Sequence, residues 1–202
     1  FDIETNSSTG KFPDPQIEGD AVFQIALTLR RLGEAECYKK VCLCYKNTAD
    51  VGDAGDIVCF PTERDLLMGF KDFMRNEDID IMTGWNIFGF DLEYLYVRAT
   101  VTHCPPEFYE LGKLRGETCK MSYKMLSSSA LGDNKLKLLP MSGRFIFDLF
   151  QEVKREQKLD SYSLNFVSKT FLGDQKIDMS PKEMFRRFRE EDPRELSEVA
   201  EY

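Results

Sequence analysis

A single histidine and a single tryptophan occur in 202 residues. His103 stands beside Cys104-Pro105-Pro106 and reads as a loop residue. The six cysteines, at 37, 42, 44, 59, 104 and 119, include no C-x-x-C pair, and their spacings fit no zinc template. Reduced structural thiols are expected, with Cys42 and Cys44 on one side of a strand that also carries Val41, Leu43 and Tyr45. No apolar run approaches the length of a membrane helix, and no secretory signal is visible. An excess of basic charge is also missing. The net charge of -8 argues against a simple nucleic-acid binder, although it leaves room for an enzyme with a carboxylate-rich site whose cations are metals. Repeats and low-complexity tracts are absent. With 42% hydrophobic and 31% charged residues, one soluble globular domain is expected, inside a cell. The chain opens on Phe1-Asp2-Ile3-Glu4, the middle of a strand, and reads as a piece of something larger.

Taken in order, residues 1–5 form a strand end, followed by a polar loop with Gly10, Pro13, Pro15 and Gly19. Alternation predicts strands over 21–31 and 37–45, so three consecutive antiparallel neighbours are expected. Ile57 to Phe60 adds a short strand. Thr62 is placed to cap a helix whose buried stripe is Leu66, Leu67, Phe70, Phe73 and Met74. Next comes Ile79-Asp80-Ile81-Met82-Thr83, a buried strand ending at Gly84, then a loop, then a helix with Leu92, Leu95, Tyr96 and Ala99 inward. This strand–helix alternation predicts a parallel crossover added to antiparallel strands: an α/β mixed sheet flanked by helices. Residues 119–147 read as an inserted β-hairpin turning at Gly132-Asp133-Asn134. Asp148 is placed to cap a helix with Leu149, Phe150 and Val153 inward, and a further helix is expected over 161–172, closed by Gly173. Ser180-Pro181 and Asp192-Pro193 mark two more helix starts.

Three acids carry the chemical interest. Asp2 and Glu4 lie two apart on a strand and share a face. Without a nearby base they repel, unless a cation sits between them, and a hard ion such as magnesium suits oxygen ligands. Taken alone, the pair also reads as a solvated strand edge. Asp91, at the end of a strand and the start of a helix, suits either a helix cap or a carboxylate at the mouth of an open sheet.

Phe1-Asp2-Ile3-Glu4-Thr5, then Asn86-x-x-x-Phe90-Asp91, then Tyr202 resemble, in order, the three exonuclease motifs of family B DNA polymerases. Gly143-Arg144-x-x-x-Asp148 and the run from Leu159 through Tyr162, Asn165 and Gly173 to Lys176 resemble the segment between the second and third motifs. The text around Ser129, Leu131 and Gly132-Asp133-Asn134 is similar to polymerases of large eukaryotic DNA viruses, and the chain also resembles the eukaryotic delta polymerase. The resemblance implies a ribonuclease-H-like 3′–5′ proofreading exonuclease domain spanning 1–202. It implies Asp2, Glu4 and Asp91 as ligands of two Mg2+ ions, with Mn2+ as substitute, and Tyr202 as the fourth catalytic residue. Substrate contacts fall to Ile3, Thr5, Asn86 and Phe90. The partners implied are the single-stranded 3′ end of a DNA primer, a polymerase domain of the same parent and a sliding clamp, at a nuclear or cytoplasmic viral replication site, with no membrane. The family's third motif continues to an aspartate beyond Tyr202, so the fragment itself is expected to be weak or inactive. The alternative is a catalytically silent structural or DNA-binding module of the same fold.

Lesser expectations complete the reading. Trp85 packs; Lys135, Lys137 and Arg144 are candidate phosphate contacts; the hairpin near 132–137 helps part primer from template. Arg186, Arg187 and Arg189 pair with Glu190, Glu191 and Asp192 at a solvated helix end.

Overall fold

Three strands with largely buried residues build the first layer. In the computed structural model, β1 (Asp2–Thr5), β2 (Val22–Leu29) and β3 (Lys39–Tyr45) pair antiparallel, and β4 (Asp56–Phe60) joins β3 in parallel. The model describes the backbone of residues 1–128, 132–173 and 179–202, and their side chains apart from those of 126–128 and 132–134. A parallel pair, β5 (Ile81–Gly84) and β8 (Phe145–Asp148), flanks β1 on its other side. The join is close. Phe1 N donates to Thr83 O at 2.7 Å, and a Cβ on Gly84 would stand 2.5 Å from Phe1 O. The expected mixed sheet is therefore present, with β1 between the mixed β2–β3–β4 part and the parallel β5–β8 pair.

One face of the sheet carries Ile3, Ile25 and Leu43 against two helices. The first, α1 (Glu63–Asn76), starts as expected at Thr62, whose hydroxyl accepts Asp65 N at 3.1 Å. Its stripe of Leu66, Leu67, Phe70 and Met74 is buried, each contributing about 1.5–3 kcal/mol relative to exposure. The second, α2 (Asp91–Val101), buries Leu92, Tyr94, Leu95 and Ala99. The opposite face is covered at one end by α5 (Pro181–Glu190) and α6 (Pro193–Glu201), capped by Ser180 and Asp192 as their sequences predict. A second cluster forms there: Phe23, Met184, Phe185, Phe188, Leu196 and Val199. A β-bulge makes this two-sidedness possible. Glu4 faces Gln24 but Thr5 faces Val22, so Phe23 is an extra residue in β2. Val22 accordingly enters the first core while Phe23 enters the second.

Three expected elements shift. Gly132, Asp133 and Asn134 are not a turn: they lie in β7 (Gly132–Leu138), which pairs with β6 (Ser122–Ser128) in a register that sets Ser128 opposite Gly132. The connecting residues 129–131 lie outside the described residues, as do Gln175 and Lys176. Helix α3 (Leu149–Glu156) is capped by Asp148, yet buries none of its residues, and Leu149 is 40% exposed. Helix α4 (Leu164–Leu172) begins after 161, because Ser163 is the residue whose hydroxyl accepts an N–H of the first turn, from Phe166. Gly173 closes it in the left-handed region at φ 72°. All six cysteines are unbridged; buried Cys42 and Cys44 hold their sulfurs 3.6 Å apart on one side of β3.

Candidate active site

Register places the acids. Asp2 stands in a cross-strand row with Ala26 and Cys42, and Glu4 in the next row with Gln24 and Cys44. Directly opposed residues share a face, so both acids lie on the side that α5 and α6 cover only in part. Asp2 and Ala26 are exposed, Glu4 is half-buried, and Gln24 and Cys44 are buried, so the open end of this face is at Asp2.

Asp91 comes from across the seam. It is the first residue of α2 and does not cap it; the capping position belongs to Phe90, which makes no side-chain cap bond. Only 3% of Asp91 is exposed, and its Oδ1 has no hydrogen-bond partner among the described residues. Burial, and then the charge of Asp2, push its carboxyl up to about 7, against the backbone N–H groups of Asp91 and Ile3, which pull it down. An acid from β1 and one from the start of α2 thus feel each other's charge. Glu4 does not complete a triangle: among the described residues no three His, Cys, Asp or Glu side chains group closely enough to hold a metal ion. The donor set nonetheless suits a hard cation. It is all carboxylate oxygen, and one buried oxygen is left without a donor.

The loop before Asp91 is built tightly. Asn86 sits at φ 60°, and its carbonyl accepts Gly89 N at 2.8 Å and Phe90 N at 3.1 Å. Gly89 leaves room for the Asn86 side chain, since a Cβ there would stand 2.4 Å from Asn86 Oδ1 and displace it. Asp148 grips the loop from β8. Its two oxygens accept Asn86 N at 2.8 Å and Phe88 N at 2.9 Å while it caps α3 through Phe150 N. The sequence marks Asp148 only as a cap; its second task depends on β5 and β8 being neighbours, which local patterning does not reveal.

Phe90 is half-buried between Tyr94, at 4.9 Å between ring centres, and Phe12, at 5.5 Å edge-on. Phe12 is 80% exposed. Sequence reasoning passes over it, although a lone aromatic between Gly10 and Pro13 in a polar loop is the signal that could have found it. That loop is pinned from below. Arg98, 1% exposed, donates to Glu63 through Nε at 2.8 Å and Nη2 at 2.6 Å, and to the carbonyls of Pro15, Ile17 and Glu18. Glu63 also accepts Val22 N at 2.8 Å. Asp20 accepts Ser8 N, Ser8 Oγ and Asp14 N.

The other expected site residues are placed as follows. Ile3 is buried in the first core, so only its backbone is available to the site. Thr5 is buried beside Tyr94. Tyr202 ends α6 and packs half-buried on the second cluster. Trp85 packs, edge-on to Phe150 at 5.7 Å. Arg144 is not a phosphate contact: it is buried and spends its guanidinium on the carbonyls of Leu111, Met74 and Ile79. Lys137 joins Glu93 at 2.6 Å, its own N–H donates to Phe88 O, and Lys135 stands 4.7 Å over the Tyr123 ring, so the hairpin is fastened to the site loop. Arg186 and Arg187 are paired as expected, but with Glu183, Glu190, Glu195 and Glu198, because α6 folds back against α5; Glu191 pairs with Lys46 instead.

A mixed sheet flanked by helices, with acids on the strand between its two parts and at the mouth of the adjoining helix, defines a ribonuclease-H-like domain. More narrowly, the chain belongs to the exonuclease-domain family of family B DNA polymerases, whose family model matches residues 1–167. It is 38% identical over 98% of its length to a DNA polymerase of Invertebrate iridescent virus 6, covering 16% of that protein. It is 36% identical over 93% of its length to a DNA polymerase of Paramecium bursaria Chlorella virus NY2A, covering 21% of it. It is 40% identical over 89% of its length to the DNA polymerase delta catalytic subunit of Oryza sativa subsp. japonica, covering 16% of that subunit. The chain therefore spans between about a sixth and a fifth of these relatives.

Proposed function

We propose that residues 1–202 are the 3′–5′ proofreading exonuclease domain of a replicative DNA polymerase, acting on the single-stranded 3′ end of a DNA primer at a nuclear or cytoplasmic viral replication site. The observation that carries this reading is Asp91: a buried carboxylate with an oxygen lacking a donor among the described residues, its pKa raised to about 7 by burial and then by the charge of Asp2. Such an arrangement is uncomfortable alone and relieved by a divalent cation. Asp2, Glu4 and Asp91 would hold magnesium, which when bound lowers the pKa of a water and stabilises the leaving 3′ oxygen. Phe12 and Phe90 form an aromatic edge on which a terminal base can stack. Asn86, fixed over Gly89, offers its amide to the same nucleotide. Tyr202 serves as a hydrogen-bond partner that orients the attacking water. The polymerase domain of the parent, and a sliding clamp bound to it, would deliver the primer.

That no three ligands group together among the described residues favours a second reading, a silent module that only binds DNA. One experiment separates the two. The parent polymerase is given single-stranded DNA labelled to follow loss of its 3′ nucleotide, with magnesium or with a chelator, alongside the Asp2→Ala/Glu4→Ala protein. Hydrolysis that needs both magnesium and the two acids is the expected result. A folded parent that binds the DNA and releases no nucleotide establishes the silent module.

A further inference from the structure

Gln24 is 2% exposed, next to the bulge of β2, with Glu4 on one side and Cys44 on the other. Its Nε2 donates at 2.8 Å to the carbonyl of Leu196, inside α6. A carbonyl only accepts, so the orientation of the amide is fixed and Oε1 is the atom left over. That oxygen is buried with no hydrogen-bond partner among the described residues. A leucine or methionine would fill the space without burying an unsatisfied acceptor, so stability alone does not account for an amide here.

What the amide adds is direction. Leu196 and Val199 hold α6 by apolar contact, which tolerates sliding and rotation. One hydrogen bond to one carbonyl fixes both. Tyr202 lies six residues further along, roughly 9 Å at helical rise. We propose that Gln24 is a positioning residue for the nuclease reaction: it sets α6, and with it Tyr202, relative to Glu4, which stands opposite Gln24 on the neighbouring strand. The inference rests on the exonuclease reading given above.

The test uses the parent polymerase carrying Gln24→Met, Tyr202→Phe or both. Gln24→Met keeps length and apolar packing and removes the donor. Removal of the 3′ nucleotide at saturating single-stranded DNA is expected to slow by about tenfold to a hundredfold, the scale of a misplaced catalytic group, with KM and primer extension unchanged. The double variant is expected to match Tyr202→Phe alone, because Gln24 acts through Tyr202. Hydrogen exchange is expected to quicken at amides 196–202 in Gln24→Met. An unchanged rate, effects that multiply in the double variant, or equal loss of primer extension would overturn the proposal. If the unaltered parent removes no nucleotide, the exonuclease reading fails. Amide exchange then still reports whether Gln24 holds α6, and unchanged exchange refutes the anchor itself.

Discussion

Asp91 and Arg98 lie two turns apart on α2 and are both buried, yet only one is complete. Arg98 has a carboxylate and three carbonyls around its guanidinium, whereas Asp91 keeps an oxygen without a donor among the described residues. The complete residue is a structural device; the incomplete one is where a ligand is called for. Arg98→Met should cost about 3–5 kcal/mol, since it leaves Glu63 charged and buried, and chemical denaturation should show this as a lowered midpoint with unchanged slope. Asp20 supplies a pH test. Burial pushes its carboxyl up, but the N–H of Asp14, the hydroxyl and N–H of Ser8, and the charge of Arg98 outweigh this and bring it below the ordinary range. A depressed folded pKa stabilises above the unfolded value of about 3.9 and loses that contribution as pH falls through the folded value. Asp20→Asn should therefore be less stable than the native protein by about 1–3 kcal/mol at pH 7. Thermal unfolding across pH 7 to 2.5 should show that gap closing once pH falls below about 4.

At the scale of elements, the strand–loop–helix from β5 to α2 depends on two tight approaches. Gly84→Ala would drive a methyl into the Phe1 carbonyl and the Ile87 side chain, at 2.5 and 2.6 Å, so the seam must open. A loss of about 1–3 kcal/mol is expected, read as a lowered melting temperature. Asp148→Ala removes the acceptor of Asn86 N and Phe88 N together with the α3 cap. About 1–3 kcal/mol of stability should go, and in the parent polymerase nuclease activity should fall while primer extension persists. These two residues also mark how far sequence reaches. Thr62, Ser180 and Asp192 announce their helices because a cap is written in adjacent residues, and β1 to β3 announce themselves by alternation. The motif residues were legible through family resemblance. Asp148 as a loop clamp, Gln24 as a helix anchor and Arg144 as a buried carbonyl binder were not. Each reaches a partner 60 or more residues away, at 62 for Asp148 to Asn86, 172 for Gln24 to Leu196 and 70 for Arg144 to Met74. The misplaced turn at Gly132 has another cause: glycine, aspartate and asparagine favour turns locally, but pairing with β6 decides where the strand begins.

For the whole molecule, a charge of -8 opposes the approach of DNA, so under the proposed function affinity comes from local contacts and from cations at the acids. Without divalent metal the isolated chain should bind single-stranded DNA no more tightly than the weak end of non-specific binding, about 10⁻⁴ M, and magnesium should tighten it, as fluorescence anisotropy of a labelled oligonucleotide would show. The two cores on opposite sides of β2 have a consequence for how the molecule comes apart. Cys37 and Cys59 are exposed, whereas Cys42 and Cys44 lie sealed in the sheet. A thiol reagent should thus modify the first two promptly and the second two only when their surroundings open. The buried pair is a clock already installed in the chain, and its rate of modification times the opening of the face on which Glu4 stands.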